Sequence, residues 1–283
     1  MERVDIPMQI NIANHDCTII WDGVYYFALS DYPNISQWEL KKLLAFIEYE
    51  KQHNRETEII CEDNQISAAI SHAITHLEAF INASRPDKLT ECTACKQGGC
   101  MTKFLCHTSS AENAVRILTG GSLLSATKVF GKSGDDLVSD VRNAAGDPAD
   151  YFEYIMFTWG NCFAGDNLVV ERNLAKKLGR APTWEEQNEA LENNFTPGAR
   201  FYFRYEDIIS HPKYTFDGYH PAKIKDELKL ADYLYACVIP EQYRSMFESL
   251  IKSDIAGKVF YLPQDNLGKL DWAERVYDFV CLI

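Results

Sequence analysis

The sequence lacks a long apolar run, an excess of positive charge and any internal repeat. No stretch reaches the ~18 consecutive apolar residues of a membrane-spanning helix, and the start lacks the charged-then-apolar layout of a signal peptide. Because 28 basic residues face 41 acidic ones, the formal charge of -13 argues against a non-specific nucleic-acid coat. These absences predict a cytoplasmic protein that does not enter a membrane.

The length and the apolar content allow a large buried core. With 283 residues, of which 46% are hydrophobic, the chain can form one large domain or two smaller ones. Composition and turn signals predict an N-terminal α+β lobe over residues 1–90, a cysteine-rich linker over 91–103 and a second domain over 104–283. Two helical patterns predict an insertion in that domain at about residues 167–194.

The N-terminal lobe begins with short apolar runs between turns, which predict a small antiparallel meander. Ser36 followed by Glu39 predicts a capping box at the start of a helix. Further on, a helical pattern runs from Asn64 to about Ser84, and His72 and His76 within it have the i, i+4 spacing that can bind a metal. Their positions relative to the apolar side of this helix favour two solvated side chains.

A cluster of four cysteines follows the lobe. In a cytosolic chain this short spacing favours zinc over a disulfide, while thiols without metal remain the alternative. Strand alternation puts Cys106 and His107 on opposite faces, so Cys106 would serve the metal or the core while His107 faces a cleft. The predicted zinc ligands are Cys92, Cys95, Cys100 and Cys106.

The run Phe104 to Thr127 predicts a strand, an amphipathic helix and a second strand. Ser109 with Glu112 predicts a capping box at the helix start, and Gly120 a left-handed helix end. The unit therefore directs His107 and the start of the helix toward one place.

Later apolar runs predict further strands. Ala199 to Arg204 alternates aromatic and polar residues, which is typical of a half-buried strand, and Tyr233 to Ile239 is continuously apolar. Val276 to Ile283 also predicts a strand, which would close the chain.

Four segments between His107 and about Tyr243 resemble the ADP-ribosyltransferase fold, most closely the DarT-type toxins that modify nucleic acid. LCHTSSAENAVRILTGGSLLS resembles the family's opening strand, motif and helix, and Arg142 lies where the family has an arginine. GARFYFRY resembles the Phe-Tyr-Phe strand, and ADYLYACVIPEQY the strand that carries the catalytic glutamate.

The resemblance implies an α+β fold, with a split mixed/antiparallel β core and peripheral helices, preceded here by the small α+β lobe. It implies an enzyme that takes NAD as its substrate, cleaves the nicotinamide-ribose bond and transfers ADP-ribose to nucleic acid or protein. A role in toxicity or phage defence would follow.

The resemblance also implies catalytic residues. Asp232 stands where the family has glutamate and would stabilise the oxocarbenium-like transition state, although its reach is ~1.5 Å shorter. Glu227 is the alternative carboxylate. Arg142 would bind pyrophosphate or developing charge through its bidentate guanidinium.

Three residues would bind NAD in the same scheme. His107 would hydrogen-bond the ribose, with Thr108 as a lesser candidate in the same place, and Tyr202 would stack on a ring.

Two other classes of function stay open on the sequence. One is a zinc-stapled, non-catalytic interaction protein with a degenerate ADP-ribosyltransferase-like domain. The other is a cysteine hydrolase that uses Cys162 with His211 or His220 as base. A nucleic-acid acceptor would want a basic groove, and its candidate residues are Lys128, Lys132, Lys176, Lys177, Arg180, Lys223, Lys225 and Lys229.

Overall fold

The computed structural model of the protein describes residues 7–16, 18–85, 88–89, 100–101, 103–140, 147–160, 172–193 and 196–283. It is an α+β protein with mixed β-sheets. The described strands, numbered in chain order, are β1 (Met8–Ala13), β2 (Ile19–Trp21), β3 (Val24–Ala28), β4 (Thr57–Ile60), β5 (Lys88–Leu89), β6 (Cys100–Met101), β7 (Phe104–Ser109), β8 (Ser122–Leu124), β9 (Tyr154–Trp159), β10 (Ala199–Arg204), β11 (Tyr214–Thr215), β12 (Ala222–Lys225), β13 (Glu227–Lys229), β14 (Leu234–Pro240) and β15 (Val259–Leu262).

The described residues also form twelve helices. In chain order they are α1 (Gln37–Gln52), α2 (Asn64–Thr75), α3 (Glu78–Ile81), α4 (Ala111–Gly120), α5 (Ala126–Phe130), α6 (Gly134–Val138), α7 (172–178), α8 (Trp184–Asn193), α9 (Tyr205–Ile209), α10 (Leu230–Tyr233), α11 (Arg244–Phe247) and α12 (Lys269–Leu282). Short 3-10 turns lie at Ala149–Glu153, Glu241–Tyr243 and Ala256–Lys258.

The chain divides into two compact units, and the division differs from the predicted one. The N-terminal unit contains Met1–Cys100, Leu168–Asn188 and Phe216–Tyr219, and the C-terminal unit contains the remaining residues. Leu168–Asn188, which the sequence places as an insertion in the second domain, is thus counted with the N-terminal unit.

The N-terminal unit is built on a four-stranded sheet in the order β2-β3-β1-β4. The predicted antiparallel meander is wrong, because β1 runs parallel to both of its neighbours and only β2 and β3 are antiparallel. The core beneath α1 and α2 includes Ile10, Phe27, Phe46 and Ile70. Long connections between strands permit parallel pairing, which the short apolar runs themselves do not reveal.

The start of α1 confirms the predicted capping box. Ser36 Oγ accepts a hydrogen bond from the Glu39 amide at 3.2 Å, and Glu39 Oε2 accepts one from the Ser36 amide at 2.8 Å. The other Glu39 oxygen accepts from the Ser30 amide at 2.7 Å. The carboxylate, only 3% exposed, therefore joins the helix start to the end of the preceding strand segment.

The C-terminal unit contains a seven-stranded sheet in the order β11-β12-β9-β7-β10-β14-β15. Its neighbouring strands are antiparallel except for β14 and β15. The strand β7 is central, and β10 lies beside it. Since β10 pairs on both edges, with β7 and β14, and five of its six residues are buried, the predicted half-buried strand is wrong.

The helix after β7 begins and ends one residue later than predicted. Its N-cap is Ser110, whose Oγ accepts from the Asn113 amide at 3.3 Å, because Ser109 still belongs to the strand. Its left-handed end is Gly121, with φ of 81°.

The C-terminus forms a helix, so the predicted strand at Val276–Ile283 is wrong. The helix α12 buries Trp272, Ala273, Val276 and Val280, whose spacing of about one turn is helical. Between Val276 and Ile283 the aromatic and β-branched composition favours a strand. The helical period of the apolar residues becomes visible only when Trp272 is included. This helix packs on one face of the seven-stranded sheet.

Two substitutions distinguish a helix from a strand here. In a strand, Val280 and Leu282 would face the same side, whereas Val280 is fully buried and Leu282 is 86% exposed. We expect Val280→Ala to lower the free energy of unfolding by about 1–3 kcal/mol and Leu282→Ala by less than about 0.5 kcal/mol, measured by urea denaturation. Equal losses in the two variants would contradict the helix.

Candidate functional site

The candidate site lies at the end of β7, where antiparallel pairing decides which side chains share a face. Thr108 lies opposite Arg200, and Cys106 lies opposite Tyr202, so these four residues point to one side of the sheet. His107 lies opposite Phe201 and points to the other side. Adjacent residues of the predicted site are thus separated by the sheet itself.

The first face is covered by α12. Cys106 and Tyr202 pack in one core cluster with Trp272 and Val276. The backbone just before β10 lies close to the end of β7, because a Cβ added at Gly198 would overlap the carbonyl oxygen of Ser109. The helix therefore covers the middle of the sheet face, while the end of β7 lies at its margin.

A pocket of about 230 Å³ lies at this margin. It is formed by the last residues of β7, the first residues of β10, the N-cap residue Ser110 of α4 and the indole ring of Trp272 on α12. The lining residues are Thr108, Ser109, Ser110, Thr196, Gly198, Ala199, Arg200 and Trp272. Four of these described residues carry hydroxyls and one is a cation, so they can donate hydrogen bonds to a ligand.

Arg200 is the charged residue of the pocket, and it is only 2% exposed. Its charge acts on its neighbour Tyr202, whose hydroxyl lies in the same buried layer. Burial raises the pKa of Tyr202 well above its ordinary value and the Cys106 thiol adds to the rise, while the Arg200 charge opposes them. The tyrosine hydroxyl is therefore neutral, and Arg200 carries the positive charge of this layer.

His107 is held in a defined orientation on the opposite face. Its Nδ1 lies 3.3 Å from the carbonyl oxygen of Met156, so this nitrogen carries the proton and donates, which leaves Nε2 as the acceptor. Its ring meets that of Phe157 edge-on, with 6.4 Å between the ring centroids. Burial lowers the pKa of His107 and the hydrogen bond with Met156 raises it, with a net lowering.

The three predicted NAD-binding residues do not share one surface. Thr108 lines the pocket, His107 lies on the other face, and Tyr202 is fully buried in the core under α12. The prediction that Tyr202 presents a ring for stacking is corrected, because the strand is covered on both faces. A half-buried β10 would have left the Tyr202 ring exposed to a ligand.

The predicted carboxylates lie on short elements outside the pocket lining. Asp232 is exposed on α10, directly before β14. Glu227 is exposed on β13, where its Oε1 accepts a hydrogen bond from Ser122 Oγ at 2.7 Å. Neither residue is brought to Arg200 or Thr108 as a pocket-lining group.

Several predicted positions lie outside the described residues: Arg142, Cys92, Cys95, Cys162 and the side chain of Cys100. Cys106 is 1% exposed and packs among the residues under α12, which fits its predicted core role. Within the described part of the chain, no three His, Cys, Asp or Glu side chains cluster as metal ligands would. His72 and His76 are exposed and stack ring on ring at 4.2 Å.

Most residues of the predicted basic groove are buried, paired or placed in the other unit, while Lys229 is exposed on β13. Lys223 is fully buried between the rings of Tyr151 and Tyr154, at 4.4 and 4.7 Å from their centroids. Lys225 pairs with Glu153 at 2.8 Å. Further members are also paired or lie in the other unit: Lys128 with Asp226, Lys132 with Asp140 and Arg180 with Glu186, and Lys176 and Lys177 in the N-terminal unit.

Sequence reasoning missed Arg200, Trp272 and three of the pocket hydroxyls. The strand alternation that placed Arg200 beside Tyr202 was the available signal for the arginine. No sequence signal indicated Trp272, because it lies 72 positions after Arg200 (272 minus 200) and reaches the pocket only through the packing of α12.

Comparison with known proteins adds no relative. No family model matches the chain, and neither a curated protein nor a solved structure is significantly similar to it. In the described residues, no helix combines the length and the apolar character needed to cross a membrane.

The lowered pKa of His107 predicts a pH-dependent stability. Because the folded pKa lies below the ordinary value of 6.5, the unfolded chain binds the proton first as the pH falls below that value, and stability is lost. We expect His107→Gln, which keeps an amide donor for Met156, to lose less stability than the wild type between pH 7 and pH 5.5 in urea denaturation. His15 and His211 have lowered pKa values too, so the difference between the two proteins is the informative quantity. Identical losses would contradict the assignment.

Proposed function

We propose that the C-terminal unit is an NAD-dependent ADP-ribosyltransferase domain that transfers ADP-ribose to a nucleic acid or a protein. The observation that supports this most is the placement of the resembling segments. The segments LCHT, ARFYFR and YACVIP lie on β7, β10 and β14, which are consecutive neighbours in one sheet. Segments far apart in the chain are thus gathered where one ligand can touch more than one of them.

The orientation of His107 also favours this proposal. A neutral imidazole whose Nδ1 is fixed by Met156 presents Nε2 as an acceptor for a ribose hydroxyl. Asp232 follows as the carboxylate that stabilises the positive charge of the oxocarbenium-like transition state. It is carried by a four-residue helix directly before β14, next to the sheet that carries His107.

The test is incubation of the protein with labelled NAD and, separately, DNA, RNA and lysate protein. We expect labelled acceptor in one of the three mixtures, and a loss of about a hundredfold in rate for Asp232→Ala. Asp232→Glu restores the length of the family's glutamate, a gain of ~1.5 Å in reach, and should raise the rate. Asp254→Ala, which removes another exposed acid of the same unit, is the matched control.

Absence of both transfer and NAD hydrolysis in every mixture would sink the enzymatic proposal. Transfer that is unchanged in Asp232→Ala would instead direct attention to Glu227. In that case Glu227→Gln should abolish transfer.

The second candidate is a non-catalytic interaction protein with a degenerate domain of this kind. It is favoured by the exposure of Asp232 and Glu227, since neither lines the described pocket. Zinc content of the purified protein, measured by atomic emission, and NAD affinity, measured by calorimetry, separate the two. Bound zinc without NAD affinity would favour the interaction protein.

A further inference from the structure

We propose that one side of the helix α2 is the surface through which two copies of this chain form a weak dimer. This surface, the α2 face, consists of Ser67, Ser71, Ile74 and Thr75. It belongs to the N-terminal unit, whereas the proposed enzyme is the C-terminal unit. The proposal therefore stands whether or not ADP-ribose is transferred.

The α2 face lies beside the buried side of its helix. The residues that α2 buries are Ile66, Ile70 and Ala73. At ~100° per residue, the α2 face occupies the sector from ~80° to ~180° around the helix from Ile66. Ile74 lies in this sector and is 45% exposed, so the apolar surface of α2 continues from the core into solvent.

Two further apolar side chains are exposed directly after α2. Leu77 is 47% exposed and Ile81 is 62% exposed. On one continuous helix from Asn64 to about Ser84 both would join the buried stripe, but α2 ends at Thr75. The helix break thus leaves large apolar side chains together on the surface, a feature that marks interaction sites.

The hydroxyls of the α2 face are already bonded within their own segment. Ser67 Oγ donates to the carbonyl oxygen of Cys61 at 3.3 Å, and Ser71 Oγ donates to that of Ser67 at 2.9 Å. Thr75 Oγ1 donates to the carbonyl oxygen of His72 at 2.9 Å. Because these donors keep their acceptors when water leaves, the face can be covered by an apolar surface at a small desolvation cost.

Charge favours a second copy as the partner. From Gln65 to Ser84 the sequence has one formally charged residue, Glu78, and no lysine or arginine. A partner or a lipid surface that is recognised by opposite charge would need more charges here. Two copies that each carry a formal charge of -13 repel each other least where acids are scarce, and this stretch meets that condition.

The α2 face is also complementary in shape to itself. A two-fold contact brings the same surface of both copies together, so one face must offer both a projection and a recess. Ile74 is the large side chain, and the small side chains of Ser67 and Ser71 lie next to it on the helix. Small residues repeated every four positions let two helices approach closely along these rows.

The size of the surface predicts a weak dimer. It is confined to α2 and the turn that follows, so the contact falls at the small end of specific interfaces. We expect a Kd on the order of 10 µM.

The experiment is sedimentation velocity of the full chain over about 1–200 µM. We expect a reversible monomer–dimer equilibrium. Ile74→Glu brings a carboxylate into the face of both copies and should raise the dimer Kd at least about tenfold. Gln65→Glu is the matched control, because it adds the same charge to an exposed residue of the same helix, ~180° around from Ile74. It should change the Kd less than about twofold.

A mixture of Ile74→Glu with Ile74→Lys tests whether the partner is a second copy. In a two-fold contact the carboxylate of one variant and the ammonium of the other enter the same interface. The mixture should therefore associate at least about fivefold more tightly than either variant alone. If Ile74→Glu fails to fold in thermal unfolding, Ser71→Glu makes the same test at an exposed position.

Four results would overturn the proposal. They are a monomer at every concentration, a dimer Kd unchanged in both Ile74→Glu and Ser71→Glu, no gain in the mixture, and binding to zwitterionic lipid vesicles that is lost in Ile74→Glu. The last result would assign the α2 face to a membrane surface instead. Labelled-NAD transfer succeeds or fails independently of all four.

Discussion

The antiparallel pairing of β7 with β10 is the contact on which the rest of the C-terminal unit depends. It fixes Thr108 opposite Arg200 and His107 opposite Phe201. Because side chains alternate along a strand, this register sends neighbouring residues to opposite sides of the sheet. A shift by one residue would exchange the two faces, and the hydroxyl and the arginine of the pocket would no longer meet.

The two faces have different surroundings, which gives them different chemistry. On the side of Arg200, the helix α12 excludes water from Cys106 and Tyr202 and leaves a polar pocket at its margin. On the other side, His107 is held by Met156 and meets Phe157. A protonated guanidinium and a neutral imidazole thus lie one residue apart along paired strands, separated by the thickness of the sheet.

Local features of the structure could be predicted from the sequence because they depend on residues close together in the chain. The capping box of Ser36 and Glu39 follows from such a short-range pattern. Similar local reasoning was one residue off at Ser109, where the strand continues into the expected cap. It was wrong at Val276, where an apolar run fits either period when Trp272 is left out.

The sequence by itself determined the alternation that separates Cys106 from His107, and with it the existence of two faces. Only the tertiary structure decided what each face meets. Strand order and register join Thr108 to Arg200 across 92 positions of the chain (200 minus 108), and the docking of α12 brings Trp272 to them. Such contacts depend on free energies of packing summed over the whole unit, to which no short stretch of sequence corresponds.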